Sequence, residues 1–242
     1  SYQTQMTVSS MLASAFPATA LLAFVSIVLA FIVGVLLGAV SARYKGKFTD
    51  KFLMVTSVLG MSVPSFFASV LIAWLFAWVL GDITGLNMFG SLYEADDLGR
   101  GEYVSLKNLI LPAFTLSIRP LAVFISLSRN SILEVQQSEY VRTAKAKGLA
   151  PQPVLYRHAL KNALIPVITV IGFQLGGLMG SAAVVEVVFG LNGIGNTLLQ
   201  GIFNRDYPLV QAATLYLAVA FVLINLIVDV LYAWLDPRIK LG

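Results

Sequence analysis

Side chains with the potential for chemistry are few in this sequence and lie far apart. The 242 residues include 16 Lys and Arg, 12 Asp and Glu, one His and no Cys. His158 has no cysteine or carboxylate nearby to complete a metal site. An enzyme working inside a membrane would need an HExxH motif, paired aspartates or a Ser–His set within its apolar runs, and these runs contain none of them. We therefore predict no catalytic residue, no metal ligand and no cofactor bound by this chain.

Three ionisable residues, Arg119, Glu186 and Asp229, fall within or beside apolar runs. Arg119, next to Pro120, lies near the middle of such a run. Charges inside a membrane are functional candidates by default. Arg119 therefore either attracts a substrate carboxylate in a water-filled path or pairs with a carboxylate or carbonyl of a neighbouring subunit. Glu186 is either an interfacial residue or a gate contact, and Asp229 either caps or pairs locally or serves a proton relay.

Two polar segments between the apolar runs have weaker patterns. The glycines of GLNGIGNTL, residues 190–198, resemble part of a nucleotide-binding fingerprint, but no strand precedes them and no βαβ unit surrounds them. We therefore exclude nucleotide binding there. The acidic cluster of Glu94, Asp96, Asp97 and Glu102 either contacts a protein outside the membrane or forms a solvated loop.

The elements that must position these residues are transmembrane helices. The chain is 58% hydrophobic and only 12% charged, with a mean hydropathy of +0.84, too apolar for one soluble core. About 20 helical residues cross a hydrocarbon core of about 30 Å. The run holding Arg119 still qualifies, because roughly 5 kcal/mol from its apolar residues exceeds the roughly 3 kcal/mol cost of the arginine. We predict an all-α polytopic membrane protein, a single domain over 1–242, with five spans at about 18–42, 52–80, 109–130, 164–186 and 209–235.

Prolines fall within or at the edges of several predicted spans. They are Pro64, Pro112, Pro120 and Pro166. Transporters tolerate such prolines where neighbouring groups satisfy the freed carbonyls, so we expect them to kink helices around a path.

The basic residues predict the orientation of the spans. Only Arg100, Lys107 and Arg205 fall on one side of the membrane. The opposite side collects Arg43, Lys45, Lys47, Lys51, Arg129, Arg142, Lys145, Lys147, Arg157, Lys161, Arg238 and Lys240. By the positive-inside rule this richer side is cytoplasmic, so the C-terminus and a loop at about 135–163 lie inside and residue 1 lies outside. The net charge of +4 has the same origin and indicates no nucleic acid partner.

The cytoplasmic loop is longer than a connection between two spans requires. Its central segment, EYVRTAKAKGLAPQPVLYRHALKNALIP, starts with a helical pattern in which Lys145 and Lys147 occupy the last turn. Gly148 can take the left-handed conformation that ends a helix, and a second helix can begin near Val154. The loop is either a solvated basic connector or a docking surface for a partner.

Several ordered motifs give the chain a resemblance to a known family. These are FPATALLAFVSIVLAFIVGVLLGAVSA, MSVPSFFASVLIA, LKNLILPAFTLSI, SRNSILEV, EYVRTAKAKGL, HALKNALIPV, VVEVVFGLNGIGNTLLQGIFNRDYPLVQ and NLIVDVLYAWLDPRI. Together they resemble the inner-membrane permease subunits of ATP-binding-cassette importers, in the dipeptide, oligopeptide and nickel branch. Arg142, Thr143 and Ala144 stand where the general family has Glu-Ala-Ala, and Leu160 and Lys161 replace its Leu-Pro. Both departures favour the peptide branch.

The resemblance implies the type I importer permease fold, with a sixth span in the complete protein. It also implies a heteromeric bacterial inner-membrane machine: a second homologous permease, two ATP-binding-cassette ATPases and an extracytoplasmic binding protein, surrounded by membrane lipid. ATP and Mg would be bound by the ATPases, so the permease itself would be no enzyme. A coupling segment would dock on an ATPase. Its residues here are Arg142, Thr143, Ala144, Lys145, Ala146, Lys147, Gly148, Leu149 and Ala150.

The substrate expected from the resemblance is a di- or oligopeptide. Nickel chelates, glutathione and some oligosaccharides are carried by similar importers, and the sequence does not separate them. A secondary transporter working without ATPases is the alternative from another class, although its intramembrane ionisable residues would be few. Arg119 and Glu186 are the candidate residues of the translocation path.

Overall fold

The computed structural model describes residues 1, 3–95, 102–146 and 163–235 of the chain. Helices dominate these residues. The helices are α1 (Val8–Arg43), α2 (Phe48–Ser62), α3 (Ser65–Ile72), a π-helix (Ala73–Val79), α4 (Gly81–Thr84), α5 (Lys107–Gln136), α6 (Glu139–Ala146), α7 (Ile165–Phe189), α8 (Ile194–Phe203) and α9 (Tyr207–Leu235). Two short strands, β1 (Tyr93–Ala95) and β2 (Glu102–Val104), form an antiparallel pair that the sequence did not predict.

Four helices are long and apolar enough to cross a membrane, namely α1, α5, α7 and the 207–228 part of α9. The pair formed by α2 and the segment Ser65–Val79 qualifies together as a fifth, broken span. The prediction of an all-α polytopic fold is therefore confirmed. Helix α1 begins ten residues before the predicted span, because Leu12 and Ala15 pack in a buried apolar cluster with Leu209 and so extend the helix beyond the apolar run.

The second predicted span is not one straight helix. Its two parts are bent by 107° between Ser62 and Ser65. Pro64 supplies the cause, because proline has no N–H to donate and disfavours helical geometry in the residue before it. The chain then passes into the π-helix, and the hydroxyl of Thr84 donates to the carbonyl of Phe76 at 2.7 Å. Pro112 and Pro120 lie inside α5, and Pro166 lies in the first turn of α7, where proline is well tolerated.

The chain divides into two compact units. Unit 1 comprises Ser1–Ser26, Val63–Leu116 and Leu175–Gly242, and unit 2 comprises Ile27–Ser62 and Ser117–Gln174. In unit 1, Phe16 meets Tyr216 edge to face with ring centroids 5.5 Å apart. These contacts join the first turns of α1 to α9 within that unit.

Unit 2 is held by a close approach of α1 and α5. Gly34 and Gly38 form a GxxxG motif, and small residues at this spacing let two helix backbones pack tightly. A Cβ added at Gly34 would lie 2.6 Å from the Cβ of Phe124, and one at Gly38 would lie 2.7 Å from the Cβ of Ser128. Phe31 and Phe124 add an edge-to-face contact at 5.8 Å. The position of α5 in this unit therefore depends on two residues that have no side chain.

Candidate functional site

The predicted coupling segment begins with helix α6. The backbone N–H of Arg142 donates to the carbonyl of Ser138 at 3.1 Å, and the hydroxyl of Ser138 donates to the carbonyl of Val135 at 2.6 Å. Only two residues separate α5 from α6, and both are held by such bonds. Helix α6 is thus tied closely to the end of α5.

The described side chains of α6 differ in burial. Val141 is fully buried, whereas Tyr140, Arg142 and Thr143 are exposed. Arg142 forms an ion pair with Glu139 at 3.3 Å. Exposed pairs of this kind contribute little to stability, so the guanidinium can exchange this partner for another. Tyr140 and Arg142 therefore lie on the two flanks of α6, with the buried Val141 between them, and both are open to contact from outside the chain.

The rest of the predicted coupling segment falls largely outside the described residues. These residues are Lys147, Gly148, Leu149 and Ala150, and the predicted second helix of the loop lies there as well. The backbone of Ala144, Lys145 and Ala146 continues α6. The docking role of the whole segment stays a prediction.

A buried ion pair lies in the same unit as α6. Asp50, in the first turn of α2, accepts hydrogen bonds from Nε and Nη2 of Arg129 at 2.6 and 2.8 Å. Its carboxylate also accepts the Ser41 hydroxyl at 2.6 Å and the Gly46 backbone N–H at 2.8 Å. The side chains of Asp50 and Arg129 are only 4% and 18% exposed. One carboxylate thereby joins the end of α1, the turn after it, and α5.

Sequence reasoning misses this ion pair. It treats Arg129 only as one of the cytoplasmic basic residues and assigns Asp50 no role. The two lie 79 positions apart, so no local spacing links them. The one available signal is an acidic residue set among the lysines of the turn, at the first turn of a predicted helix, where a carboxylate favours the helix dipole.

Arg119 lies on the exposed face of α5. It forms no hydrogen bond or ion pair within the described part of the chain, and its side chain is exposed. Asn130 and Glu134, farther along α5, are exposed as well. The arrangement fits both interpretations of Arg119, because a water-filled path and an interface with another subunit each require an exposed guanidinium.

Glu186 makes contacts that neither of the two alternatives predicted for it includes. The residue is fully buried near the end of α7. Its Oε1 accepts the hydroxyl proton of Thr19 at 2.6 Å, and its Oε2 accepts the backbone N–H of Asn196 at 3.0 Å. Thr19 in turn accepts the backbone N–H of Ile194 at 2.8 Å. The carboxylate therefore joins α1, α7 and the first turn of α8 within unit 1.

The glycines of GLNGIGNTL allow α8 to pack closely against α7. A Cβ added at Gly193 would overlap the carboxylate of Glu186, and one at Gly195 would overlap the backbone of Ala183. Gly190 has a φ of +71°, which favours glycine at the turn that follows α7. The motif thus brings the start of α8 against α7. Helix α8 has no side-chain cap at Gly193. Glu186, ten positions before Asn196, accepts the backbone N–H of Asn196 and so supplies the missing acceptor.

Glu186 as a contact of the translocation path stays a prediction. Both carboxylate oxygens already have partners inside unit 1, so the structure assigns the side chain to holding α8. The side chain of Asp229 lies outside the described residues, as do Asp96 and Asp97 of the acidic cluster. Among the described residues, no group of three or more His, Cys, Asp and Glu could hold a metal ion.

The comparison with known protein families decides the class of the chain. Residues 34–241 match the family described as the binding-protein-dependent transport system inner membrane component. The chain belongs to this family. This match confirms the resemblance noted from the motifs. It also confirms the prediction that the chain is a multi-pass inner-membrane permease subunit and not an enzyme.

Relatives of this permease family carry names from peptide transport. The dipeptide transport system permease protein of Alkalihalophilus pseudofirmus is 41% identical over 239 residues, which cover 92% of this chain and 71% of the relative. The corresponding protein of Bacillus subtilis is 36% identical, with 97% and 71% covered. The glutathione transport system permease protein of Escherichia coli is 37% identical, with 96% and 71% covered.

Solved structures share the fold of this family member. A chain of the MetNI methionine ABC transporter in an inward-facing conformation matches with a TM-score of 0.73 and 15% identity, covering 94% of this chain and 97% of that one. A chain of an amino acid ABC transporter matches with a TM-score of 0.65 and 13% identity, covering 96% and 95%. The predicted importer permease fold is therefore confirmed.

Proposed function

We propose that this permease forms one half of the translocation path of an ATP-driven importer for di- and oligopeptides. A second homologous permease would supply the other half. Two ATP-binding-cassette ATPases would bind ATP and Mg on the cytoplasmic side, and an extracytoplasmic binding protein would deliver the substrate. The observation that carries the proposal is the identity of 36–41% with permeases named for dipeptide transport, over more than nine tenths of this chain.

Helix α6 supports the ATPase part of the proposal. It exposes Tyr140 and Arg142 on its two flanks, and the buried Val141 between them anchors the helix. The direct hydrogen-bonded joint between α5 and α6 would let a push on α6 move α5 as well. A loop serving only as a connector has no need of a helix that is anchored in this way.

Copurification tests the docking step. The chain would be expressed with its partner ATPases, intact and with residues 143–153 deleted. We expect ATPase recovery with the intact chain and its loss on deletion. Gly148→Pro should leave the spans inserted but uncouple ATP hydrolysis from uptake. Undiminished association after the deletion would contradict docking through this segment.

Uptake into proteoliposomes tests the transport step. The reconstituted importer should accumulate a radiolabelled dipeptide only with its binding protein outside and ATP at the ATPase side. Uptake that continues without ATPases would instead support a secondary transporter. Glutathione, a tripeptide carried by one relative of this family, belongs in the same assay as a competitor.

The proposed orientation can be tested directly because the sequence contains no cysteine. Single cysteines at exposed positions report which side of the membrane they face. We expect Lys45→Cys to be protected from an impermeant thiol reagent in intact cells, and Ile83→Cys to react with it. The opposite labelling pattern would reverse the orientation derived from the basic residues.

A further inference from the structure

Helix α5 carries a stripe of mostly polar residues that is open to its surroundings. At about 3.6 residues per turn, the spacing of four, three, four and four positions keeps these residues on one helix face. They are Arg119, Val123, Ser126, Asn130 and Glu134, here called the α5 stripe. Arg119, Asn130 and Glu134 are exposed, whereas Val123 and Ser126 are partly buried. Val123 is the one apolar member, so the stripe offers polar groups along most of its length.

The stripe ends at Arg119. One turn earlier on the same face, Thr115 and Leu116 are buried, as is Pro112. From Arg119 to Glu134 the stripe runs about 22 Å at about 1.5 Å per residue. Arg119 therefore sits at the closed end of an open face, deep in a helix that is apolar enough to span a membrane.

The opposite side of α5 is used for packing within unit 2. Ala122, Phe124 and Ile125 are buried, and Phe124 lies against Gly34 of α1. The helix cannot rotate the stripe inward without losing these contacts. The stripe is therefore a fixed outward-facing feature of the unit.

Contact with lipid is energetically unfavourable for the α5 stripe. An arginine at the centre of a lipid-exposed helix costs roughly 3 kcal/mol, and Asn130 and Glu134 would add to that cost. Where this chain does expose a face of a candidate span without polar groups, as on α9, the residues are Leu215, Val219, Val222 and Leu226. The contrast indicates that the α5 stripe faces water or another polar group.

The other charged residues of α5 limit which groups of a peptide this face can bind. The other arginine of α5, Arg129, already has the carboxylate of Asp50. The acidic member of the stripe, Glu134, is about 22 Å from Arg119 along the helix axis, whereas a fully extended dipeptide spans only about 7 Å. A dipeptide held at Arg119 could not reach Glu134 with its amino group.

We propose that Arg119 binds the C-terminal carboxylate of a peptide as it passes along the α5 stripe. The inference rests on the proposed peptide transport and names the part of the substrate that the site holds. A guanidinium offers two parallel N–H donors to a carboxylate, and every unmodified peptide carries such a group at neutral pH. The site selects for a free carboxyl terminus and is indifferent to the amino group.

The test compares uptake of one peptide in three forms: free, C-terminally amidated and N-acetylated. Uptake is measured in proteoliposomes holding the whole importer, for the wild type, Arg119→Gln and Arg119→Lys. Because all share one binding protein, its own preference cancels when variants are compared. Lys107→Gln, which removes an exposed cation from the start of the same helix, is the matched control.

We expect Arg119→Gln to lower the ratio of free to amidated peptide uptake about tenfold, the scale of one charged hydrogen-bonded contact. The ratio of free to N-acetylated peptide should not change. For Arg119→Lys, the ratio of free to amidated peptide uptake should lie between those of the wild type and Arg119→Gln, since lysine keeps the charge but loses the paired donors. Lys107→Gln should match the wild type.

Other outcomes overturn the inference. Equal loss of all three peptides in Arg119→Gln, with the complex intact, would make Arg119 a structural residue. Failure of the two permeases to copurify in that variant would assign it to a pair with the neighbouring subunit. If the wild type takes up none of the peptides, the proposed function itself has failed, and the role of Arg119 falls with it.

Discussion

The Asp50–Arg129 ion pair is the contact of unit 2 whose removal has the most definite consequence. Asp50→Asn keeps the shape of the side chain but replaces one acceptor oxygen with an NH2 group. If the remaining oxygen keeps the Ser41 hydroxyl and Arg129 Nε, the NH2 faces the Gly46 N–H and Arg129 Nη2, which are also donors. Two hydrogen bonds are lost and a guanidinium that is only 18% exposed is left without its charge partner.

Breaking a buried pair by removing one partner costs about 3–5 kcal/mol. Arg129 retains some contact with solvent, and its Nη1 still donates to Asn130 at 3.1 Å, so we expect the lower end, about 3 kcal/mol. The free energy of unfolding can be measured by far-ultraviolet circular dichroism during titration with SDS in mixed micelles. Asp82→Asn, which removes an exposed carboxylate in the first turn of α4, should cost less than about 1 kcal/mol and serves as control.

A double-mutant cycle separates the pair from its surroundings. Arg129→Gln alone should also destabilise, because it leaves a buried carboxylate with two fewer donors. The double variant should cost less than the sum of the two single changes, by about 1–3 kcal/mol, as expected for residues in direct contact. Additive costs, or an Asp50→Asn variant no less stable than Asp82→Asn, would refute the idea that this ion pair holds α5 to the turn.

Three further predictions concern close contacts elsewhere in the chain and use the same unfolding assay. Gly195→Ala should lower the free energy of unfolding by more than about 1 kcal/mol, because its Cβ would overlap the backbone of Ala183. Gly177→Ala has open space around its Cβ and gains helix propensity, so it should be neutral or stabilising. Similar effects for both would contradict the close contact of α7 with α8. Thr19→Val should cost about 1–3 kcal/mol, since it leaves the buried Ile194 N–H without an acceptor and removes a donor from the Glu186 carboxylate; a loss below about 0.5 kcal/mol would show that other groups replace the hydroxyl. Gly38→Ala places a methyl group 2.7 Å from the Cβ of Ser128 and 2.8 Å from the carbonyl of Ile125, so it should cost about 1–3 kcal/mol, and wild-type stability would mean that α1 and α5 can separate freely.

The features that the sequence could predict are those that depend on the residues of one continuous segment. Hydropathy indicated each helix in the described part of the chain that can span a membrane, including the one that contains Arg119, and Pro64 indicated a kink. The size of that bend, 107°, was not predictable from one residue, and neither was the π-helix over Ala73–Val79 that follows α3. The GxxxG spacing of Gly34 and Gly38 was available in the sequence and went unused.

The features that sequence missed depend on residues distant along the chain. Glu186 accepts a hydrogen bond from Thr19, 167 positions away, and neither predicted role for Glu186 included this contact because no local pattern reveals such a partner. An acidic residue at the end of an apolar run is ambiguous until the element packed against it is known. Here that element is α8, whose uncapped first turn requires an acceptor, and this requirement explains why a carboxylate can be buried at all.

Helix α5 connects the proposed peptide contact with the proposed ATPase contact. Arg119 lies near its middle, Arg129 fixes it to the α1–α2 turn through Asp50, and α6 follows it after two hydrogen-bonded residues. Because α5 is one continuous helix of 30 residues, a displacement of α6 by an ATPase would move α5 and the turn together. The buried ion pair and the two glycines of α1 hold α5 against the α1–α2 turn and α1, so we expect such a motion to reach Arg119 as a shift of one rigid group.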